Sequence, residues 1–412
     1  MNKKRVQIIM KSCNRRDLEM EQVRQYLEGN GYELSSNAEA RQFETLDDEK
    51  VDTNADLIIL STCAFSSVTE ESSLHDLQLI QSKKKPTAEI IVCGCLPEIN
   101  PERLNAMFGG ASFGPRGYDK LDTILNAETR YQDYRHSNRA ASYAEDVFTI
   151  QIEQGCPCNC SYCAIKHSVG SLVSLPLEEA VAQFKNGLDK GYSRFVLMGD
   201  CSGGYGLDIG ESLGTLLKRI AAFNGDFTVS LTDIASFHLQ HCFEEIKLMC
   251  AQRRMPSLYV AVQSANNRIL GLMKRQCDMS KVREMLLELK TLHPHIELVT
   301  SIIAGFPSET LEEFEETLEF CNAISFNTIY CHGYSARPNI VSESLPGKLA
   351  ASEIEKRCII AKGRLGSKIA LVTIPGKGGT AYAGSRFKAL YKRTTHKMSH
   401  LSWKIKEALS LS

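Results

Sequence analysis

Three cysteines in one short loop, spaced C-x-x-x-C-x-x-C, form the strongest chemical signal in this sequence. They are Cys156, Cys160 and Cys163, with Tyr162 immediately before the last of them. Three thiolates at this spacing can bind three irons of a four-iron cluster and leave the fourth iron without a protein ligand. An open iron of this kind is what reductive cleavage of S-adenosylmethionine (SAM) to a radical requires, and that chemistry belongs to the cofactor. The loop therefore predicts a SAM-cleaving iron–sulfur site.

The same loop has a second interpretation, as a zinc site or a set of buried thiols. Cys158 lies inside the loop but out of register with the other three, so we do not expect it to bind the cluster. A zinc loop needs a second pair of cysteines or histidines to complete four ligands, and no such pair lies close by in the sequence. The four-iron interpretation is therefore favoured.

A second set of cysteines follows three buried-strand patterns in the first part of the chain. These are Cys13, Cys63 and Cys95, which come after the apolar runs 6–10, 57–60 and 90–93. Continuous apolar strands separated by helical segments predict a parallel sheet covered on both faces. Ligand sites in such sheets lie at the carboxyl ends of the strands. The three thiols could therefore meet and bind a second cluster; alternatively, each is a small buried side chain.

The second part of the chain repeats a strand-and-helix pattern six times. The strand candidates are 148–153, 194–198, 227–231, 257–263, 296–303 and 327–334. Helical patterns lie between them, such as Leu177, Val181 and Phe184 on one face of a helix. Six β/α units predict a partial (β/α)6 barrel, in which functional residues collect at the carboxyl ends of the strands. The cysteine loop directly follows the first of these strands.

These patterns predict an α/β protein with four parts. The parts are an N-terminal parallel-sheet α/β domain over 1–126, a linker over 127–146, a partial barrel over 147–361 and a short basic extension over 362–412. The extension contains 11 lysines and arginines against one acid, Glu407, although the whole chain has a net charge of −1. The first 361 residues are therefore acidic, and this asymmetry is a feature that the function has to explain.

Composition favours an intracellular protein. No apolar run of the sequence is long enough to span a bilayer, and the start, 1–5, lacks the apolar stretch of a signal peptide. The chain has 15 cysteines. Cytosolic thiols are kept reduced, so this number favours metal binding or catalysis over disulfides. We expect a cytoplasmic protein with no membrane partner.

Two cysteine trios in this order resemble the radical SAM methylthiotransferases. This family attaches a methylthio group to a modified adenosine in tRNA or to an aspartate of a ribosomal protein. The resemblance spans roughly residues 5–360. The motifs similar to the branch that acts on threonylcarbamoyladenosine are CSYCAIKH at 160–167, YGLDIG at 205–210, VQSA at 262–265, MKR at 273–275, GFPSET at 305–310 and YSARP at 334–338. By contrast, TCAF at 62–65 and GCL at 94–96 resemble the branch that acts on the ribosomal protein.

The resemblance implies two four-iron four-sulfur clusters and SAM as cofactors. Cys156, Cys160 and Cys163 would bind the catalytic cluster that cleaves SAM, while Cys13, Cys63 and Cys95 would bind the cluster whose open iron receives the transferred sulfur. The positions that match the family's SAM pocket are Tyr162, Asp200, Gln263 and Arg275, with Asp200 placed to contact the amino group. Without the resemblance, Asp200 would be interpreted as a strand-end cap, Gln263 as an amide inside the barrel and Arg275 as a surface cation. A flavodoxin or ferredoxin would supply the electron.

The motifs favour threonylcarbamoyladenosine in tRNA as the substrate. The alternatives are a ribosomal protein, a peptide or a natural product as the substrate of the same chemistry, or a non-catalytic RNA-binding protein whose cysteines hold a structural metal. The family usually ends in a small β-barrel RNA-binding domain, and the segment 370–373 followed by 376–379 resembles the first hairpin of one. The basic extension supports tRNA, because its cations are interleaved with aromatic residues, a pattern suited to phosphate contacts and base stacking. These cations include Lys377, Arg386, Lys388, Lys392 and Arg393. Alternatively, the extension is a solvated tail that docks on the acidic body.

The sequence departs from the family pattern near both cysteine trios. Ser12 and Arg16 stand where the family has Gly and Asn, and Val169 stands where it has Arg. Further along, Asn339-Ile340 replaces Gly-Thr. The change at Val169 predicts one cation fewer beside the cysteine loop.

Overall fold

The computed structural model describes residues 3–35, 38–39, 46–135 and 146–375. The first part of the chain forms a parallel sheet in the order β2-β1-β4-β5-β6, with β3 also paired to β1. Its strands are β1 (Arg5–Met10), β2 (Glu33–Leu34), β3 (Ala38–Glu39), β4 (Leu57–Thr62), β5 (Glu89–Gly94) and β6 (Ala111–Ser112). The three apolar runs of the sequence are therefore three adjacent strands of one sheet.

Helices cover both faces of this first sheet. They are α1 (Asp17–Gly29), α2 (Ser67–Lys83), α3 (Leu96–Ile99), α4 (Pro101–Asn105), α5 (Lys120–Ile124) and α6 (Tyr131–Arg135). Successive residues of β4 alternate between two separate apolar cores: Ile58 and Leu60 pack in one, Leu57 and Ile59 in the other. This alternation is what a strand buried on both sides produces, and it confirms the predicted parallel-sheet domain.

The segment predicted as a linker, 127–146, is partly a structured part of the first domain. Tyr131 in α6 is 6% exposed, and its ring meets that of Tyr26 on α1 edge to face, with centroids 5.8 Å apart. Its hydroxyl donates to Gln22 Oε1 at 3.1 Å. The sequence of this segment is mostly polar and did not indicate the contact, because a single buried tyrosine is enough to attach α6 to the first domain. Residues 136–145 lie outside the described part of the chain.

The second part forms a seven-stranded parallel sheet in the order β15-β14-β13-β12-β11-β10-β7. Its strands are β7 (Val147–Gln151), β10 (Arg194–Met198), β11 (Thr228–Ala235), β12 (Ser257–Ala261), β13 (Glu297–Ala304), β14 (Thr328–Gly333) and β15 (Ile369–Thr373). A short antiparallel pair, β8 (Glu153–Gln154) and β9 (Val173–Ser174), brackets the cysteine loop. All six predicted strands are present, and the sheet is an open, partial barrel.

Helices connect the strands of the second part, and all but the first of them share one apolar core with the seven-stranded sheet. They are α7 (Ile165–Val169), α8 (Leu177–Asp189), α9 (Leu213–Ala221), α10 (Phe243–Ala251), α11 (Asn267–Leu272), α12 (Met279–Leu292), α13 (Leu311–Ile324) and α14 (Ala351–Leu365). Local signals start several of them. For example, Thr310 and Glu313 form a capping box at the start of α13.

The segment 370–373, which resembles the first strand of a hairpin, belongs to β15, and β15 pairs in parallel with β14 as the seventh strand of the barrel sheet. The other half of the predicted hairpin, 376–379, lies outside the described residues. Leu371 and Val372 of β15 are buried. They are buried because α14 connects β14 to β15 and packs against both strands. The basic residues from 376 onward lie outside the described part of the chain.

The carboxyl ends of the two sheets face each other, and ion pairs join them. Arg16, just before α1, binds Asp200 after β10, with 2.5 Å between Nη2 and Oδ1. Its neighbour Arg15 donates to Asp233, which lies at an irregularity in β11 and has a φ of 57°. Arg337 contacts Glu70 on α2. Residues at the mouth of the barrel therefore lie against residues at the strand ends of the first domain.

His332 on β14 also lies at this interface, and it predicts a loss of stability in acid. Its ring meets Phe65 edge to face and its Nδ1 lies 3.1 Å from Thr373 Oγ1. Burial lowers the pKa of His332 from 6.5 to about 4. Between these two pH values the folded protein therefore binds fewer protons than the unfolded chain. The contribution of neutral His332 to the free energy of unfolding is complete above pH 6.5 and is lost as the pH falls toward 4. We expect this residue to account for up to about 2 kcal/mol of loss at pH 5.

Urea unfolding of wild type and His332→Gln at pH 7 and pH 5 measures this effect. The glutamine variant should lose less stability between the two pH values than wild type, since its amide stays neutral. An equal loss in both proteins would show that His332 does not contribute.

Within the described residues, no helix has the length and apolar character needed to cross a membrane.

Candidate active site

The cysteine loop leaves the barrel between β8 and β9, and hydrogen bonds fix its ends. The amide of Cys156 donates to Gly170 O at 3.2 Å, and the amide of Cys163 donates to Cys160 O at 3.1 Å. Lys166 also donates to the carbonyl of Cys156. Gly155 has a φ of 89°, and a Cβ there would come within 2.1 Å of Ser171 O. The loop is therefore closed at its neck, and only glycine fits where it starts.

The three predicted ligands of the loop lie together beside a buried cation. Burial raises the pKa of the Cys163 thiol to about 12, and the negative charges of Cys160 and Cys156 raise it further. Arg275, 5% exposed, directs Nη1 to Cys160 Sγ at 3.4 Å and Nη2 to Ala261 O at 2.7 Å. Its Nε is buried without a hydrogen-bond partner among the described residues. Grouped thiols next to an incompletely bonded guanidinium fit an anionic iron–sulfur cluster.

The structure places the predicted SAM-pocket residues at the same end of the barrel. Tyr162 lies in the loop. Burial raises the pKa of its hydroxyl, the charge of Arg275 lowers it, and the charge of Cys160 raises it. Asp200 accepts from the Gly155 amide at 2.8 Å, while its other oxygen binds Arg16. Gln263, with a φ of 68°, donates from Nε2 to Ser301 Oγ at 3.0 Å. Tyr162, Asp200 and Arg275 thus meet at the loop, and Gln263 lies on the neighbouring strand end.

The second trio also converges. Burial raises the pKa of the Cys63 thiol, and the charges of Cys13 and Cys95 raise it further. Burial likewise raises the pKa of Cys95 to about 11, against the opposing effect of Arg16. The three thiols follow the adjacent strands β1, β4 and β5, so the parallel register brings them to one edge of the sheet.

Cations surround this second trio. Cys13 interacts electrostatically with Arg15 and Arg16, and Cys63 interacts with Arg337. Among the described residues, Arg16 Nε and Arg337 Nε are buried without a hydrogen-bond partner. Grouped thiols next to arginines that keep unused N–H donors fit a second anionic cluster.

A single short helix separates the two trios. α7 begins two residues after Cys163 and packs against α3, which follows Cys95. Ser168 in α7 lies beside Cys95, and its buried hydroxyl has no nitrogen or oxygen partner among the described residues. Five residues of helix span about 8 Å. Cys163 therefore lies just before one end of α7, and Cys95 lies beside its other end.

Sequence reasoning missed the cations that the first domain contributes to the loop. The exposed Arg116 donates to Ser171 O, and its guanidinium carbon lies 3.0 Å from where a Cβ on Gly170 would stand. A cation is thus present next to Val169, where one was expected to be missing. Arg16, a departure from the family pattern, pairs with Asp200. In the sequence, the sign of these contacts was Arg16, three residues after Cys13, where the family has Asn.

A further group of ligands beside the loop was also missed. Cys201 follows Asp200, and His238 lies in a 3-10 helix over Ser236–His241; both contact Cys158. Burial lowers the pKa of His238 to about 4, so its imidazole is neutral at pH 7. The second pair of ligands that a zinc loop requires is therefore present in space, although it is distant in sequence.

Two family models match this chain, and their boundaries follow the two sheets. Residues 150–321 match the radical SAM superfamily, and residues 5–113 match the uncharacterized protein family UPF0004. The first matched region contains the cysteine loop, and the second contains Cys13, Cys63 and Cys95. Each trio therefore lies in a region with its own family match.

Curated relatives cover most of the chain. The threonylcarbamoyladenosine tRNA methylthiotransferase MtaB of Thermotoga maritima is 28% identical over 325 residues, and the match covers 76% of this chain and 74% of that protein. The ribosomal protein uS12 methylthiotransferase RimO of Chlamydia felis is 26% identical over 86% of this chain and 77% of its own length. Both kinds of methylthiotransferase thus align with both domains.

Solved structures support the fold. The radical SAM methyltransferase TsrM of Kitasatospora setae aligns with a TM-score of 0.56 at 12% identity, over 83% of this chain and 77% of its own. Two cysteine trios, the matched families and the relatives agree on one assignment. The chain belongs to the radical SAM methylthiotransferase family, whose members are enzymes that use SAM and four-iron four-sulfur clusters.

Proposed function

We propose that this enzyme inserts a methylthio group into an unactivated C–H bond of threonylcarbamoyladenosine in tRNA. The observation that carries the proposal is the convergence of two cysteine trios on opposite sides of α7. When bound, SAM and the clusters supply the radical that removes the hydrogen and the sulfur that replaces it, which acid–base chemistry cannot do. One trio alone would support SAM cleavage; a second, one short helix away, supports sulfur transfer.

The side chains at the barrel mouth have separate roles in this proposal. Cys156, Cys160 and Cys163 hold the catalytic cluster, and Arg275 offsets its charge through Cys160. Asp200 orients the SAM amino group while it also positions the start of the loop through Gly155. Cys13, Cys63 and Cys95 hold the second cluster, on the first domain. We propose the domain limits 1–135 and 147–374 for these two units, with α6 included in the first and β15 in the second.

Exposed cations around the loop favour a nucleic-acid substrate. Arg116 lies at Gly170, and the exposed Lys274 follows Met273, whose carbonyl accepts from Ser161 of the loop at 3.0 Å. His167 in α7 is also exposed. Arginine and lysine at such a rim can contact phosphates and orient an RNA. The basic extension, including Lys377, Arg386 and Lys388, lies outside the described residues and stays a prediction, as does the flavodoxin or ferredoxin partner.

Nucleoside mass spectrometry of tRNA from cells with and without the protein tests the substrate. The methylthio form of threonylcarbamoyladenosine should be present with wild type and absent without the protein. Cells that express Cys160→Ala should match the cells without it, because one ligand of the catalytic cluster is gone. An identical modification profile in all three would rule out tRNA as the substrate.

A ribosomal protein is the second candidate substrate. The relative from Chlamydia felis, named for ribosomal protein uS12, aligns over 86% of this chain, and the motifs at Cys63 and Cys95 resemble that branch. Intact-mass measurement of ribosomal proteins from the same cells separates the two candidates. A methylthio mass on a ribosomal protein, with unchanged tRNA, would favour the second. The non-catalytic alternative is set aside, since the family consists of enzymes.

A further inference from the structure

Three thiols and one imidazole form a compact group at the barrel mouth, and two of the thiols and the imidazole are not used by the proposed function. Cys158 Sγ lies 3.8 Å from Cys201 Sγ and 3.7 Å from His238 Nε2. The sulfurs of Cys156, Cys158 and Cys201 all lie within 4.8 Å of one another. The four residues come from the cysteine loop, the end of β10 and the 3-10 helix 236–241, so tertiary structure rather than sequence assembles them.

Two of the distances match edges of a tetrahedral zinc site. With Zn–S of about 2.3 Å and Zn–N of about 2.0 Å, the ligand sulfurs lie about 3.8 Å apart and sulfur lies about 3.5 Å from nitrogen. The Cys158–Cys201 and Cys158–His238 distances are close to these values. His238 lies outside the group of three sulfurs that are mutually within 4.8 Å, so its ring has to turn toward them to complete the four ligands. Ligands of a four-iron cluster bind different irons and point to different corners, so they do not need to be this close.

We propose that the protein, before it receives the cluster, binds one Zn²⁺ through Cys156, Cys158, Cys201 and His238. Three cysteines and one histidine are a common donor set for structural zinc. Binding converts the three thiols to thiolates and releases their protons to solvent, which gives the site a net charge of −1. Arg275 lies close enough to Cys158 to offset that charge, and the Cys158 amide donates to Cys156 Sγ at 3.4 Å.

Zinc at this site excludes the catalytic cluster, because both need Cys156. The zinc site would hold the loop in place and protect its thiols until iron and sulfide displace the metal. This exclusion rests on the proposed role of Cys156 as a cluster ligand, whereas the zinc site itself does not. The two statements can therefore fail separately.

Titration of the iron-free, full-length protein with Co²⁺ tests the site, since cobalt replaces zinc and reports its ligands by absorption. We expect one Co²⁺ per chain at this site, with tetrahedral d–d bands and thiolate-to-cobalt charge transfer, and displacement by Zn²⁺. Cys201→Ala and His238→Gln should each weaken binding by more than about 100-fold. Mutation of a residue that only hydrogen-bonds to a metal ligand costs up to about 100-fold in affinity, and loss of the ligand itself should cost more. The matched controls Cys277→Ala and His241→Gln should bind as wild type does.

The variant that lacks Cys13, Cys63 and Cys95 locates the signal. It should keep the tetrahedral cobalt spectrum, and loss of the spectrum there would place the metal at the other trio and overturn the proposal. Absence of binding to wild type, or equal weakening by Cys277→Ala and Cys201→Ala, would overturn it as well. Circular dichroism of each variant separates loss of a ligand from loss of the fold.

Cluster assembly after zinc loading tests the exclusion. In wild type, bound zinc should slow the appearance of iron–sulfur absorption during anaerobic reconstitution, whereas Cys201→Ala should assemble the cluster at one rate with or without zinc. Equal rates in wild type with and without zinc would show that Cys156 is not shared. That result would leave the cobalt spectrum, and with it the zinc site, unaffected.

Discussion

Replacement of Cys13, Cys63 and Cys95 by alanine should abolish the methylthio product while SAM cleavage to deoxyadenosine persists. The three thiols lie at the strand ends of the first domain, and the catalytic trio lies across α7 in the barrel. The variant therefore loses the proposed sulfur-carrying cluster but keeps the ligands of the other. Iron content should fall from about eight to about four atoms per chain after reconstitution.

The measurement combines iron analysis with chromatography of deoxyadenosine and of the modified substrate. Cys93→Ala is the matched control: Cys93 lies on β5, two residues before Cys95, but packs in the opposite core and is fully buried. It should retain the iron content and both products. Loss of deoxyadenosine in the triple variant, with normal folding, would contradict separate roles for the two trios.

Arg16→Met should destabilise the protein by about 3–5 kcal/mol, which is typical when one member of a buried ion pair is removed. The Arg16 side chain is 1% exposed and binds both Asp200 and Glu19, at 2.5 and 2.6 Å. Methionine leaves the Asp200 carboxylate buried without its cation. Glu19 adds less to the loss, because burial already raises its pKa to about 7 and it can take up a proton.

Urea unfolding at pH 7 measures the loss, and a second substitution identifies its cause. Arg16→Met combined with Asp200→Asn should be more stable than Arg16→Met alone, since the unpaired charge is gone. Arg24→Met on α1 is the control; its pairs with Glu21 and Glu28 are partly exposed to solvent, and such pairs contribute at most about 1 kcal/mol. Similar losses for Arg16→Met and Arg24→Met would show that the contact with Asp200 is not important for stability.

The positions of both cysteine trios could be predicted from the sequence because they depend on local patterns. Cys13, Cys63 and Cys95 follow apolar strands, and parallel strands bring their carboxyl ends to one edge. The spacing within the loop defines the other trio in the same way. The order of strands in the barrel also followed, since each β/α unit packs beside the previous one.

Contacts between the two sheets could not be predicted in this way. Arg16 reaches Asp200, and Arg116 reaches Gly170, only because the strand ends of the two domains face each other. Cys201 and His238 contact Cys158 because the segments that follow β10 and β11 lie beside the cysteine loop at the same end of the barrel. The short apolar run of β15 fits the first strand of a separate hairpin as well as an edge strand, and only its pairing with β14 shows that it belongs to the barrel sheet.

The direction of β15 has a consequence for whatever follows it. β15 runs parallel to the other six strands, so it ends at the face of the barrel that also carries the cysteine loop. Pro375 lies next to Gly333 at the end of β14. Residue 375, the last that the structure describes, therefore lies on the face of the barrel that carries the cysteine loop, and the lysine- and arginine-rich segment that follows in the sequence is attached to the barrel on that face.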